Sequence, residues 1–184
     1  GRATAAVLAE RGWQLALVGQ DLDALKQIPG TKDACLIQAD VSSEAGAAQA
    51  IIQCVTETGK SPEALVCCTE NQQISPLHRT NQDLYRRCMS ATLDSSFFAL
   101  QAFVNGCLLD RQPGVAVLMG IPSFRLGMKS QETVAGAQAA IEALARSAAA
   151  TYVNRKIRVN VVSPGMLQPP ATVAIFPVPD VDKS

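Results

Sequence analysis

Net charge is what this sequence has least of: sixteen Lys and Arg face sixteen Asp and Glu, and no basic block stands out. Nucleic acid and anionic membrane surfaces are therefore not expected partners, since both require a clustered positive field. Histidine occurs once, at 78, with no thiol close by in sequence, and the cysteines at 35, 54, 67, 68, 88 and 107 form no Cys-x-x-Cys pair. No metal centre is expected from such spacing. Long apolar runs are missing too. A stretch such as 97–100 is far short of the roughly 20 residues a membrane helix requires, so no transmembrane segment is expected. No signal-peptide pattern opens the chain. Most cysteines sit inside apolar patterns and read as small buried hydrophobes. The expected setting is a soluble reducing compartment (cytosol, or an organelle matrix or stroma), with attachment to a larger complex left open.

What is present suits one domain with a substantial core: 184 residues, 48% hydrophobic, with a mean hydropathy of +0.13. The pattern is organised around residues 155–165, Arg-Lys-Ile-Arg-Val-Asn-Val-Val-Ser-Pro-Gly. Ile157, Val159 and Val161 alternate with Arg158 and Asn160, and the run ends where Pro164 fixes φ and Gly165 frees it. An Ala-rich helix pattern over 135–151 feeds that strand, which is the second half of a βαβ unit. Upstream, 1–12 reads as a helix with a Gly stop and 14–19 as a strand. A helix begins at 21, a strand spans 34–39, a helix 45–58 and a strand 64–67. Residues 82–109 carry Leu84, Cys88, Leu93, Phe97, Leu100 and Val104 at helical spacing. After a turn at 110–114 comes a strand at 115–119, then a loop over 120–131. The fold class is α/β, a doubly wound parallel sheet.

The strand ending in Val-Asn-x-Val-x-Pro-Gly resembles that of the short-chain dehydrogenases/reductases, and the resemblance runs over nearly the whole chain. It implies a Rossmann-like domain over 1–168, followed by a Pro-rich tail over 169–184 that holds four of the ten prolines. Gly1 matches the last glycine of the family's Thr-Gly-x-x-x-Gly-x-Gly turn. The sequence thus begins after the family's first strand and also stops short of its seventh. In the strand order 3-2-1-4-5-6 that first strand is central, so its absence would leave two unpaired edges. The resemblance makes Gly1, Asp40, Val41, Pro164 and Gly165 remnants of a cofactor site, with Asp40-Val41 at the adenine ring. Asp21 could reach a ribose, but it is better read as a helix cap. Where the family has Asn-Asn-Ala-Gly, the chain has Cys67-Cys68-Thr69-Glu70, and Glu70 adds bulk and negative charge.

The family's chemistry needs a Tyr acid/base, a Lys four positions later that lowers the Tyr pKa, an orienting Ser and an Asn that keeps a water relay. A Tyr of pKa about 10 is no use near neutrality without such help. Aligned without gaps, the Ser position is Ile121, the Tyr position Val134, the Lys position Gln138 and the Asn position Thr92. No catalytic residue is expected. Tyr152-x-x-x-Lys156 repeats the motif literally but closes the helix before the last strand, where Arg155 and Lys156 suit a helix C-terminus. Ser123, two residues from the Ser position, reads as a loop residue.

Three functions remain open at this level. The first is a catalytically inactive, pseudoenzyme-like subunit of an oligomer or larger complex, joined to protein partners through the helices 82–109 and 135–151. The second is an NAD(P)-dependent oxidoreductase of carbonyl or 3-oxoacyl reductase type. The third is a dinucleotide sensor that binds without turnover. On the first reading no cofactor is expected; NAD(P) is the one the scaffold would take.

Overall fold

The computed structural model describes residues 1–69, 74–121, 125 and 127–164. Helix α1 (Arg2–Glu10) leads to strand β1 (Ala16–Gly19), a short α2 (Leu22–Lys26) and β2 (Cys35–Gln38). Next come α3 (Glu44–Thr58), β3 (Ala64–Cys67), α4 (Gln82–Met89) and α5 (Ser95–Leu109). The order closes with β4 (Gly114–Met119), α6 (Glu132–Tyr152) and β5 (Ile157–Val162). Every strand pairing is parallel, as the strand–helix alternation requires.

The sheet comes in two pieces. β1 pairs with β2, setting Val18 against Ile37, and β3, β4 and β5 pair in that order, setting Val117 against Asn160. Among the described residues no strand hydrogen-bonds the free edges of β1 and β3. A cleft of about 530 Å³ separates them, lined by Ala16, Leu17 and Val18 on one side and Ala64, Leu65 and Val66 on the other. Among the described residues, the edges of β1 and β3 that border this cleft are therefore unpaired. The place of a seventh strand and the tail over 169–184 lie outside the described residues.

Each sheet piece has its own core. Phe103, Cys107, Leu118, Ile141 and Ile157 centre one cluster, which joins α5, β4, α6 and β5. Ile37, Ala50 and Cys54 centre the other, between β2 and α3. α3 packs along α5, where Gly106 lies beside Ile51 and Ser61. This contact ties the two pieces together beside the cleft.

Local boundaries follow the caps. The Ser43 hydroxyl accepts the Gly46 N–H and starts α3, and Gly59, at φ 78°, ends it. α6 begins at Glu132, a turn earlier than its Ala run suggests, because the Ala135 N–H already bonds the Gln131 carbonyl. The single helix expected over 82–109 is interrupted: Ser90–Asp94 winds as one π turn between α4 and α5. Hydrophobic spacing continues through it, so periodicity alone could not detect the extra residue.

Candidate functional site

The carboxyl ends of parallel strands, where chain reversal opens a crevice, are the ligand end of such sheets. Here they present Asp21 after β1, Asp40 and Val41 after β2, Cys68 after β3, Gly120 and Ile121 after β4, and Ser163 and Pro164 after β5. Gly1 joins them, since a Cβ added to it would lie 3.4 Å from the Cys68 Cβ.

Of the residues that the resemblance aligns with the family's catalytic positions, Ile121 and Gln138 touch beyond the end of β4. Val134 and Gln138 lie one turn apart on α6 with exposures of 2% and 1%. The Gln138 Oε1 accepts the Ile121 N–H at 3.1 Å. That bond fixes the amide orientation, since a flip would bring two donors together, and so Nε2 is the end left over. Among the described residues Nε2 is buried without a partner, and so is the Ser163 Oγ. Both residues border Gly120: a Cβ there would sit 2.6 Å from the Ser163 Oγ and 3.4 Å from the Gln138 Oε1.

Thr92 is fully buried in the π turn, which packs against α6. The Ser96 hydroxyl donates to the Thr92 carbonyl at 2.8 Å and the Ser95 hydroxyl to the Ser90 carbonyl at 2.9 Å. A π turn frees backbone acceptors, and here two serines occupy them. One turn beyond Gln138, Glu142 accepts hydrogen bonds from Arg125 at 2.7 Å and Arg146 at 3.2 Å. The bond from Arg125 is the main reason its carboxyl is held below the usual range, with Arg146 adding to it. An acid held ionised in this way is a poor proton donor.

Of the residues expected to be cofactor-site remnants, Gly1 and Val41 both line the cleft. The Asp40 Oδ1 accepts the Ser42 hydroxyl at 2.7 Å and the Ser42 N–H at 3.0 Å, and these bonds lower its pKa. Asp21 caps α2 by accepting from the Asp23 and Ala24 N–H groups, the role its sequence context favours. Pro164 follows β5, next to Ser163. Gly165, Glu70, Ser123 and residues 166–170 lie outside the described residues.

Tyr152 and Lys156 are on the far side of this arrangement. Tyr152 ends α6 against the larger core, and Lys156 is the residue just before β5, hence at the amino end of the strands. Burial is the main force raising the thiols of Cys35, Cys54, Cys88 and Cys107 above their ordinary value, so these are not activated nucleophiles. The Cys67 Sγ lies 3.2 Å from the Thr69 hydroxyl, within the larger core. Among the described residues no group of three His, Cys, Asp or Glu is placed to hold a metal, and no helix is long and apolar enough to cross a membrane.

Sequence reasoning missed the paired loose ends at Gln138 and Ser163 and the serines on the π turn. The adjacent Ser95-Ser96 in an otherwise apolar helix was a readable signal, because Ser favours back-bonding to carbonyls. Nothing in the sequence marked Ser163. Whether the residues suit a nicotinamide dinucleotide, the group the resemblance implies, turns on these orphaned atoms. Two buried uncharged hydrogen-bonding groups at the carboxyl end of the sheet suit its neutral hydroxyl and carboxamide oxygens, so the group fits there.

A family model described as enoyl-(acyl carrier protein) reductase matches residues 1–183. The inactive 2-(S)-hydroxypropyl-CoM dehydrogenase 2 of Xanthobacter autotrophicus is 31% identical over 132 residues, which cover 70% of this chain and 55% of that protein. The (3R)-3-hydroxyacyl-CoA dehydrogenase of Homo sapiens is 26% identical over 196 aligned residues, covering 100% of this chain and 74% of that one. Among solved structures, an NAD+-bound xylitol dehydrogenase superposes with a TM-score of 0.83 at 25% identity, over 92% of this chain and 66% of the other. A short chain dehydrogenase from Mycobacterium smegmatis does so with a TM-score of 0.83 at 23% identity, over 91% and 72%. The chain thus spans about half to three quarters of these proteins' own lengths.

Proposed function

This chain belongs to the short-chain dehydrogenase/reductase family, and from that membership we propose that it is a catalytically silent member acting as a structural or accessory subunit. The observation that carries the reading is the Ile121–Val134–Gln138 group. A bound nicotinamide supplies hydride chemistry, and a carbonyl that receives hydride must also receive a proton. Two of these side chains are hydrocarbon, and the third is a neutral amide whose oxygen is already engaged by a backbone N–H. None of the three can deliver that proton or lower the pKa of a group that would. The partner is proposed to be protein, either a second copy or a related subunit, docked on helices 82–109 and 135–151. Tyr85, Phe97 and Leu108 on the first of these are exposed apolar side chains. The unit is taken as residues 1–168 with an extended tail over 169–184, working in a reducing compartment.

Two measurements test this. Size-exclusion chromatography with light scattering should give a dimer or larger species; a clean monomer with no co-purifying partner argues against a subunit role. Incubation with NADPH or NADH and a panel of ketones and 3-oxoacyl thioesters should give no oxidation above background. Turnover with any of them restores the alternative, an NAD(P)-dependent oxidoreductase of carbonyl or 3-oxoacyl type.

A second reading, dinucleotide binding without turnover, is favoured by Gly1 and Val41 lining one cleft and by the unpartnered atoms at Gln138 and Ser163. Calorimetric titration with NAD(H) and NADP(H) separates it from a purely structural role.

A further inference from the structure

We propose that residues 171–176 of the same chain, Ala-Thr-Val-Ala-Ile-Phe, enter the cleft between β1 and β3 as a strand running antiparallel to both. The backbone of the two edges is set for such an occupant. The Cys35 and Ala39 N–H groups donate to the Leu15 and Gly19 carbonyls, and the Val115 N–H donates to the Glu63 carbonyl. In a parallel pair alternate residues turn to opposite sides. Ala16 and Val18 on β1, and Ala64 and Val66 on β3, therefore aim their N–H and C=O groups into the cleft. Val18 and Val66 are also 39% and 37% exposed, although each lies within its strand. The rest of the lining includes Ala5 and Leu8 of α1 and Ala50 and Cys54 of α3. A strand seated here is covered by helices as well as by both edges. It needs apolar residues in succession rather than in alternation, and no charge.

The tail sequence meets these demands. Residues 165–179 include no Asp, Glu, Lys or Arg, and 171–176 are apolar or threonine throughout, with the β-branched and aromatic types that suit a sheet. Pro169 and Pro170 precede the segment and Pro177 follows it, so every residue between them keeps the N–H that a central strand must donate. The segment is long enough for edges of four residues each. Its starting point decides the direction. It follows Pro164 at the carboxyl end of β5, and β5, β4, β3 and the cleft succeed one another across the sheet. Three strand spacings put the cleft about 14 Å away, while residues 165–170 in extended form reach about 20 Å. That suffices to enter beside the carboxyl end of β3 and run down it. It leaves too little to pass the helices and start from the amino end.

Hydrogen exchange followed by NMR on the whole chain tests this. The Val18 and Val66 amides should be protected. Ending the chain at Gln168, or Ile175→Asp in the whole chain, should speed their exchange by about tenfold or more, and Ile175→Val should keep the protection. A second readout needs no variant: nuclear Overhauser contacts should join Val173 and Ile175 to Val18 and Val66. In an equal mixture of ¹³C-labelled and unlabelled chains these contacts should stay within one chain. In a chain with a strand fused ahead of Gly1, which competes for the same cleft, they should vanish. Fast exchange of both amides in the whole chain, or protection that survives removal of the tail, overturns the proposal. Contacts found between labelled and unlabelled chains assign the cleft to the tail of a second copy, and contacts that persist beside the fused strand put the tail outside the cleft; either overturns it as well.

Discussion

Two glycines at the ligand end of the sheet mark how tightly single residues are fitted there. A Cβ on Gly46 would fall 2.0 Å from the Asp40 carbonyl oxygen, which is backbone and has no side-chain freedom to yield. Gly46→Ala should therefore cost about 3 kcal/mol, the upper end for overpacking, and should displace the Asp40–Val41 corner. A Cβ on Gly120 meets the Ser163 hydroxyl and the Val161 methyl, so Gly120→Ala should cost less, about 1–2 kcal/mol. Ser163→Ala removes the nearer obstacle, and the double variant should be more stable than the sum of the single changes predicts. Urea unfolding of the four proteins measures this coupling; strict additivity would mean that Gly120 and Ser163 do not touch. At Val134 the expectation is negative. Val134→Tyr restores the phenol but not the cation that lowers its pKa, because position 138 is a neutral amide. NADPH oxidation by this variant should stay at background, and measurable turnover would show that Gln138 is no obstacle.

Among the elements, α6 is fastened to Arg125, which precedes it in the chain, by Glu142, whose side chain is 10% exposed. A carboxylate whose folded pKa is depressed stabilises the fold above its unfolded pKa and loses that contribution as pH falls through the folded value. The window therefore opens near the ordinary value of 4.5 and extends downward. Between pH 7 and pH 3 the melting temperature of the wild type should fall further than that of Glu142→Gln, which has no charge there to lose. Parallel melting curves at the two pH values decide it, and identical falls would remove Glu142 from the account. The sheet edges yield a second element-scale prediction. Among the described residues, the facing edges of β1 and β3 have no strand partner, and Val18 and Val66 on them are exposed. A β-branched segment of five or six residues fused ahead of Gly1, with a Gly-rich turn, can pair with both edges at once. It should raise the melting temperature by several degrees; a 1 kcal/mol gain shifts a domain of this size by about 2–4 °C. No change would mean that the cleft does not accept a strand.

For the molecule as a whole, the question is what the long helices face. Phe97 is 43% exposed and stacks edge-on against Phe98 at 5.4 Å, in the middle of the proposed subunit surface. Phe97→Glu should convert an oligomer to monomer without changing the far-ultraviolet circular dichroism, while Ile52→Glu, on the exposed face of α3, should not. If both variants keep the wild-type elution volume, the interface lies elsewhere.

What the sequence determined by itself was the class of fold. Strand–helix alternation dictates a parallel sheet, whereas the assignment of Ile121, Val134 and Gln138 to the family's catalytic positions is what the resemblance implies. Asp21 as a cap was legible as well: a carboxylate before a helix satisfies N–H groups that nothing else reaches. Tertiary structure decided the rest. The π turn keeps the hydrophobic rhythm of an ordinary helix, and only backbone geometry reveals that Ser96 has claimed the Thr92 carbonyl. Gln138 looked like a bare replacement in the sequence. Which of its two ends is engaged depends on where the Ile121 N–H arrives beyond the end of β4, and that contact spans 17 residues. Ser163 became a candidate only when β5 was laid beside β4. A hydrogen bond that is missing is a property of three-dimensional neighbours, and no local pattern encodes it.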